Sequence, residues 1–125
     1  MQNCTFEENF SELYGIIQSS IGELVQISNS TFLKNTGNQT SILTAQITNN
    51  IFIDNTQFLG NHARVSSFSI SYSNVELNNT FFDDNVGEYI THGFILINSR
   101  VKIAESIIQN SYFESTVLGF FSLLS

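Results

Sequence analysis

The 125-residue chain has no proline, no tryptophan, a single cysteine, and only four lysine and arginine residues against eleven aspartate and glutamate residues. Because Cys4 stands alone, an internal disulfide framework is excluded. The net charge of −7 argues against nucleic acid as a partner, since that binding depends on clustered cations, and also against an anionic membrane surface. No apolar run is long enough to cross a bilayer, so no membrane insertion is expected within this segment.

The residues that are abundant are asparagine, serine, threonine, β-branched residues and phenylalanine, a mixture typical of strands and tight turns. No segment keeps the apolar spacing of an amphipathic helix. The first 30 residues contain four glutamates and neither lysine nor arginine, which argues against a signal peptide in this segment. The length predicts a single domain, residues 1–125, with a core of its own.

The chain repeats itself about every 26 residues. The stretch VQISNSTFLKN at 25–35 aligns with the segments at 51–61, 75–85 and 101–111, and residues 3–9 supply the end of an earlier copy. Equivalent positions carry the same residue types. One column is aromatic and two are asparagine: Phe6, Phe32, Phe58 and Phe82; Asn29, Asn55 and Asn79; Asn35, Asn61 and Asn85.

Such columns predict a stack of coils. A coil of about 26 residues cannot bury its own apolar face, but coils stacked at about 4.8 Å bring equivalent residues into contact. Asparagine tolerates the left-handed backbone that a strand corner requires, and stacked asparagines bond to each other and to turn backbones. We therefore predict an all-β fold, a parallel β-helix (solenoid) of about five coils of about 26 residues.

A further series of large residues, 26 apart, precedes these segments and consists of Ile16, Ile42, Phe68, Phe94 and Phe120. Residues 66–73 alternate cleanly, whereas residues 41–47 fit the opposite phase, so the inside and outside of this strand stay unassigned. The third coil is two residues short, and the loop between Val86 and His92 is expected to restore the register. Three cations are expected to face acids on neighbouring coils, in the pairs Lys34–Glu8, Arg64–Glu88 and Lys102–Glu76.

The asparagine–small residue–x–phenylalanine–x–x–asparagine units begin at Asn3, Asn29 and Asn55. Through them the sequence resembles the right-handed parallel β-helix of the pectin-lyase-like superfamily, and especially the repeats of polymorphic outer-membrane proteins and large protist surface proteins. The Gly-Gly-Ala-Ile unit of those repeats is reduced here to Gly15-Ile16-Ile17 and Gly93-Phe94-Ile95. The resemblance implies a right-handed coil and an extracellular or cell-surface location. It does not imply one function, since the fold hosts lyases, hydrolases, adhesins and inert stalks.

Enzymes of this resemblance cluster carboxylates on adjacent coils, with Ca²⁺ in the lyases. The two acidic doublets, Glu7-Glu8 and Asp83-Asp84, lie three coils apart, about 14 Å, beyond the roughly 5–9.5 Å of a glycosidase pair. Asp83, Asp84 and Asn85 with Glu88 lack calcium-loop spacing and are expected to form a surface turn. No catalytic residue, metal site or cofactor is predicted.

Three other residue types invite chemistry. His62 and His92 lack ligand spacing and are expected in loops, and Cys4 is expected to be a buried small side chain in a column of serines and threonines. Five glycosylation acceptors occur, of which Asn38 in a predicted loop is a better candidate than Asn29, whose side chain is expected in a ladder. They are Asn3, Asn9, Asn29, Asn38 and Asn78.

Apolar residues on outward phases form a candidate contact face for another subunit or a larger assembly, unless a loop of the parent chain covers them. They are Leu33, Phe52, Leu59, Phe81 and Ile107. No polar cap is visible, so the segment is expected to continue in a longer chain or a stacked assembly. Protein partners or same-chain coils would then meet the open solenoid ends, and carbohydrate is a further candidate partner.

These patterns predict a non-catalytic structural or adhesive β-solenoid module of a surface or extracellular assembly, with glycoprotein or filament character. The alternative is a fragment of a carbohydrate-active β-helix enzyme, a polysaccharide lyase or glycoside hydrolase, whose catalytic coils lie outside this segment.

Overall fold

The computed structural model describes residues 1–87, 92–113 and 121–124, and these residues form strands and turns without any helix. The strands pair in parallel and stack as a β-solenoid of about four turns, which confirms the predicted fold class. The turn count is about four instead of five because the phenylalanine strand occurs in five copies and the strand before it in four. The right-handed sense stays a prediction, in line with the general preference of parallel crossovers.

The strands are short, and most have two to six residues. In chain order they are β1 (Thr5–Glu7), β2 (Phe10–Ser11), β3 (Ile17–Ser28), β4 (Thr31–Leu33), β5 (Thr36–Gly37), β6 (Thr40–Asp54), β7 (Gln57–Leu59), β8 (His62–Ala63), β9 (Ser66–Ser71), β10 (Asn74–Asn78), β11 (Phe81–Asp83), β12 (Val86–Gly87), β13 (His92–Ile97), β14 (Arg100–Ala104), β15 (Ile107–Gln109), β16 (Tyr112–Phe113) and β17 (Phe121–Leu124).

Three parallel sheets run along the solenoid. The first, which we call the phenylalanine sheet, has the order β1-β4-β7-β11-β15, and the second has the order β2-β5-β8-β12-β16. The third has the order β14-β10-β6-β9-β13-β17, with β3 also paired to β6. This third sheet is bent, because β6 continues through a corner at which the next coil breaks into β9 and β10. We call it the bent sheet.

Each coil turns at corners where one residue has a left-handed backbone. Three columns of such residues run along the solenoid, with φ from 45° to 58°. For residues other than glycine this conformation costs about 1–2 kcal/mol, and asparagine and aspartate tolerate it best. The asparagine corners predicted from the sequence are therefore confirmed. The columns are Asn3, Asn29, Asn55, Asn79 and Glu105; Glu8, Lys34, Gly60, Asp84 and Asn110; and Ile21, Ile47, Tyr72 and Asn98.

Two stacks of phenylalanine rings fill the interior. Phe32 pairs in register with Phe6 and Phe58, with ring centroids 4.8 and 5.0 Å apart, and Phe82 continues the stack at 4.7 Å from Phe58. Phe68 begins a second stack and meets Phe58 edge-on at 5.2 Å. Offset and edge-on ring pairs are the favoured aromatic arrangements. The in-register column predicted from the repeat thus forms the core.

A β-bulge changes the register of the second predicted column. Between Thr40 and Leu43 the pairing of β6 with β9 shifts, so that Ser41 and Ile42 together lie opposite Ser67 alone. A bulge of this kind reverses the phase of the following residues, which is why residues 41–47 did not fit the alternation of 66–73. The hydroxyl oxygens of Ser41 and Ser67 are buried here without a partner in the described part.

The predicted column through Ile42 and Phe68 is therefore wrong at that step. Leu43 pairs with Phe68, and Phe94 pairs with Phe121, whereas Phe120 lies outside the described residues. The second missing residue is lost at the Ile47 corner, because the pairing Gln46–Ser71 becomes Asn50–Asn74.

The predicted recovery of the register is confirmed. Ala63 and Gly87 are paired at a spacing of 24 residues, and Ser66 and His92 at a spacing of 26. The chain between Gly87 and His92 is thus two residues longer than the equivalent connection one coil earlier, as the stack of coils requires.

Replacing Phe58 by alanine tests whether the phenylalanine stack holds the coils together. Phe58 is fully buried between two other rings, so we expect Phe58→Ala to lower the free energy of unfolding by about 3–5 kcal/mol. Phe52→Ala, on an outward position of the same coil, is the matched control and should cost about 1 kcal/mol or less. Urea denaturation of both variants measures the difference, and equal losses would contradict the assigned core.

Candidate functional site

The buried asparagine column is the most highly bonded group of side chains in the described part. Asn61 Nδ2 donates to Phe32 O at 2.9 Å and to Asn85 Oδ1 at 2.9 Å, and Asn61 Oδ1 accepts from Asn35 N and Asn35 Nδ2, both at 3.0 Å. Asn35 repeats the same pattern toward Phe6 and Asn9. Each central amide is therefore saturated, as a buried polar group must be to avoid a desolvation cost.

A second asparagine column lies on the surface at the first corner. Asn55 Nδ2 donates to Asn29 Oδ1 at 2.6 Å, and Asn79 Nδ2 donates to Asn55 Oδ1 at 3.1 Å. The predicted side-chain ladder at this corner is thus confirmed. Because these side chains are exposed, water competes for the same hydrogen bonds, and this ladder contributes less than the buried one.

Small polar residues follow each corner and point inward. Ser30 Oγ accepts from Cys4 N at 3.2 Å and donates to Ser28 O at 2.8 Å, so the hydroxyl joins one coil to the next. Cys4 belongs to this column, as predicted, but it is half-buried instead of buried because its coil lies at the edge of the stack. Its Sγ contacts Gln2 O at 3.3 Å.

The acidic doublets are not brought together. Glu7 lies in the column of Leu33, Leu59 and Asp83, with two strands between the two acids. The apolar side chains that occupy the column between them leave no paired carboxylates. Asp83 Oδ1 accepts from Asn110 Nδ2 at 2.9 Å, and Glu88, the fourth residue of the suggested cation turn, lies outside the described residues.

Metal-ligating side chains are also dispersed. Within residues 1–87, 92–113 and 121–124, no three histidine, cysteine or acidic side chains are close enough to hold a metal ion. The prediction that the histidines lie in loops is wrong, since His62 begins β8 and His92 begins β13. Both strands are continuous with the stack because their backbone groups pair with the coils on either side, which a sequence reading of isolated histidines does not reveal.

Of the predicted ion pairs, the one between Lys102 Nζ and Glu76 Oε1 forms across neighbouring strands. Lys34 and Glu8 occupy equivalent corner positions, but they make no ion pair in the described part, so this prediction is wrong. Their left-handed corners expose both side chains to solvent. The predicted pair of Arg64 involves Glu88, which lies outside the described residues.

The five candidate glycosylation acceptors differ in exposure. Four are exposed, whereas Asn38 is half-buried in a turn and its Nδ2 donates to Glu12 Oε1 at 3.2 Å. Asn78 Nδ2 donates to Asp54 Oδ1 at 2.8 Å. The exposed acceptors are Asn3, Asn9, Asn29 and Asn78.

The predicted apolar contact face is divided between two sheets. Leu33 and Leu59 pair on the outside of the phenylalanine sheet, and Phe81 and Ile107 pair two positions earlier on the same face. Phe52 lies instead on the outside of the bent sheet, in the column of Gln26 and Glu76. Four of the five residues therefore form one strip, and the inclusion of Phe52 is wrong because equal outward phase does not fix which sheet a residue is on.

Phe52 lines a shallow groove of about 360 Å³ on the bent sheet. The groove combines an exposed ring, two amides and two cations, the kinds of groups that bind sugars or small polar ligands. Its outward-facing lining consists of Asn50, Phe52, Asn74, Glu76, Arg100 and Lys102.

One feature of the surface was not identified from the sequence. The third corner column carries Ile21, Ile47 and Tyr72, which are large and exposed although their backbone is left-handed. The available signal was the 26-residue spacing of Ile21 and Ile47. It was overlooked because isoleucine is expected inside strands and not at corners.

The comparisons with known proteins give no relative: no family model, no curated protein and no solved structure matches the chain. In the described residues there is also no helix with the length and hydropathy of a transmembrane span.

Replacing a saturated amide tests the buried ladder. Asn61→Ala leaves the amide groups of Asn35 and Asn85 and the carbonyl of Phe32 without partners in a buried site. We therefore expect a loss of about 3 kcal/mol or more in the free energy of unfolding. Asn74→Ala removes an exposed amide with one hydrogen bond and should change stability by about 0.5 kcal/mol or less. If chemical denaturation gives similar values for both, the ladder does not stabilise the coils as described.

Proposed function

We propose that the chain is a non-catalytic structural or adhesive β-solenoid module of a surface or extracellular assembly. The observation that carries the proposal is the buried asparagine ladder, which joins neighbouring coils through side chains as well as strands. Bonds of this kind act along the solenoid axis. They produce a stiff rod whose length depends on the number of coils, and such a rod suits a spacer or scaffold.

The edges of the stack support a role in a longer assembly. Ile103 and Ile108 belong to inward columns, yet they are 39% and 40% exposed at the edge formed by β14 and β15. At the other edge Asn9 donates to Asn35, and its own Oδ1 faces the position where a preceding coil would supply N–H groups. A protein partner or a same-chain coil with the same columns would cover both surfaces.

The adhesive part of the proposal is supported by the groove around Phe52. Carbohydrate is the candidate ligand, because an exposed aromatic ring beside the amides of Asn50 and Asn74 can stack on a sugar and bond its hydroxyls. The enzymatic alternative, a fragment of a polysaccharide lyase or glycoside hydrolase, has less support. Its two acidic doublets stay three coils apart, about 14 Å, and a hydrolytic pair requires about 5–9.5 Å.

Duplication of one coil tests the proposed function. Insertion of a second copy of residues 29–54 after Asp54 keeps every column in register, so we expect cooperative unfolding at a higher Tm. The same protein, and the wild type, should release no reducing ends or unsaturated products from polyuronides, with or without Ca²⁺. Product formation would instead establish the carbohydrate-active enzyme, and aggregation of the duplicated chain would count against a modular rod.

Glycosidase treatment tests the surface location. If the protein is exposed outside the cell, one or more of the exposed acceptors should carry a glycan in material from the native source. We expect a mass decrease after enzymatic deglycosylation, and its loss when Asn29 and Asn78 are both replaced by glutamine. An unchanged mass in the wild type would weaken the extracellular proposal.

A further inference from the structure

The third corner column differs chemically from the other two. At the first two columns of left-handed corners every residue is polar, charged or glycine. At the third, between the two halves of the bent sheet, Ile21 and Ile47 have φ of 57° and 52°, and Tyr72 has φ of 52°. β-Branched and bulky residues rarely adopt this conformation, because their side chains crowd the following carbonyl group.

The same residues are also exposed. Ile21 is 80% exposed, Ile47 52% and Tyr72 59%, and Leu24 beside them is 56% exposed. Ile21 and Ile47 lie on adjacent strands, and Tyr72 continues the line on the next coil. These four side chains form a convex apolar line, the corner ridge.

Two independent costs therefore fall on the same side chains. The left-handed backbone is strained, and the apolar surface is in contact with water. Asparagine, which the chain uses at the equivalent positions of the first corner, would remove both. Strained outliers persist where the surrounding structure or a function requires them, so the corner ridge is best explained by a surface that covers it.

The charges beside the corner ridge identify the covering surface. Glu23 lies at its amino-terminal end, on β3, and Arg100 lies at its carboxyl-terminal end, on β14, three coils away. Between them the outward residues are uncharged: Ser20, Gln46, Asn49, Asn50, Ser71 and Asn74. A copy of the same ridge in the opposite direction would place each Glu23 against an Arg100, whereas a copy in the same direction would oppose like charges.

We propose that the corner ridge pairs with the corner ridge of a second copy of this chain, antiparallel and about a two-fold axis near Ile47. The isoleucines and Tyr72 of the two copies bury each other, and two Glu23–Arg100 contacts fix the direction. The contact is narrow, so association is expected in the micromolar range, at the weak end of specific interfaces. This inference goes beyond the proposed scaffold role, because it joins solenoids side by side.

Sedimentation equilibrium of the purified chain measures the pairing. We expect a reversible monomer–dimer equilibrium for the wild type and at least a tenfold higher Kd for Ile21→Asn with Ile47→Asn. Because asparagine tolerates the left-handed corner, this double variant should also keep or raise the Tm of the monomer. A variant that merely fails to fold would lower Tm, and the two causes are therefore distinguished.

Matched controls separate the corner ridge from other apolar surfaces. Ile107→Asn, on the phenylalanine sheet, removes an exposed isoleucine of similar exposure from a different face and should leave Kd unchanged. If Ile107→Asn abolishes dimerisation and the ridge variant does not, the proposal is wrong and the predicted strip is the interface. A wild-type chain that remains monomeric at concentrations well above the micromolar range would also overturn it.

Charge reversal tests the direction. Glu23→Arg and Arg100→Glu should each raise Kd several-fold at low salt, since each places like charges together. The double variant restores opposite charges in the antiparallel arrangement and should recover most of the wild-type affinity. Additive losses in the double variant would exclude antiparallel pairing.

Discussion

The rest of the fold depends on the hydrogen bonding of the buried asparagines. Each central amide, such as that of Asn61, gives both protons and accepts two, and every partner lies on an adjacent coil. A buried amide with fewer partners would oppose folding. The coils are therefore held at one spacing and one register, and the phenylalanine rings that stack at 4.7–5.0 Å can pack only because that spacing is imposed.

The corners follow from the same constraint. An amide can point inward at Asn35 only if the residue before it turns the chain sharply, and Lys34 does so with a left-handed backbone. The hydroxyl column that includes Ser30 follows Asn29 in the same way. Corner residue and inward polar residue thus form one unit. The strain of the corner is offset by the saturated hydrogen bonds directly behind it.

The sequence predicted the parts of the structure that recur. Phe32, Asn29 and Asn35 could be placed because copies of each occur at the same spacing, and a column is unlike any single motif. The bulge at Ser41 and Ile42 could not be placed, because a lost residue shifts the phase without leaving a mark of its own. The exposed corner at Ile21 was missed for a related reason: local propensity places isoleucine inside a strand, and the fold overrides it.

The buried ladder has a direction. In every central amide the oxygen faces the preceding coil, and an N–H is given to the oxygen of the following one. The side-chain dipoles are thus aligned and polarise one another, as peptide units do in a helix. The two ends of the stack are consequently unlike: one presents acceptors and the other donors. Material added to such a rod must enter the same way round, so the solenoid has an intrinsic polarity, in the sense in which a filament has a plus and a minus end.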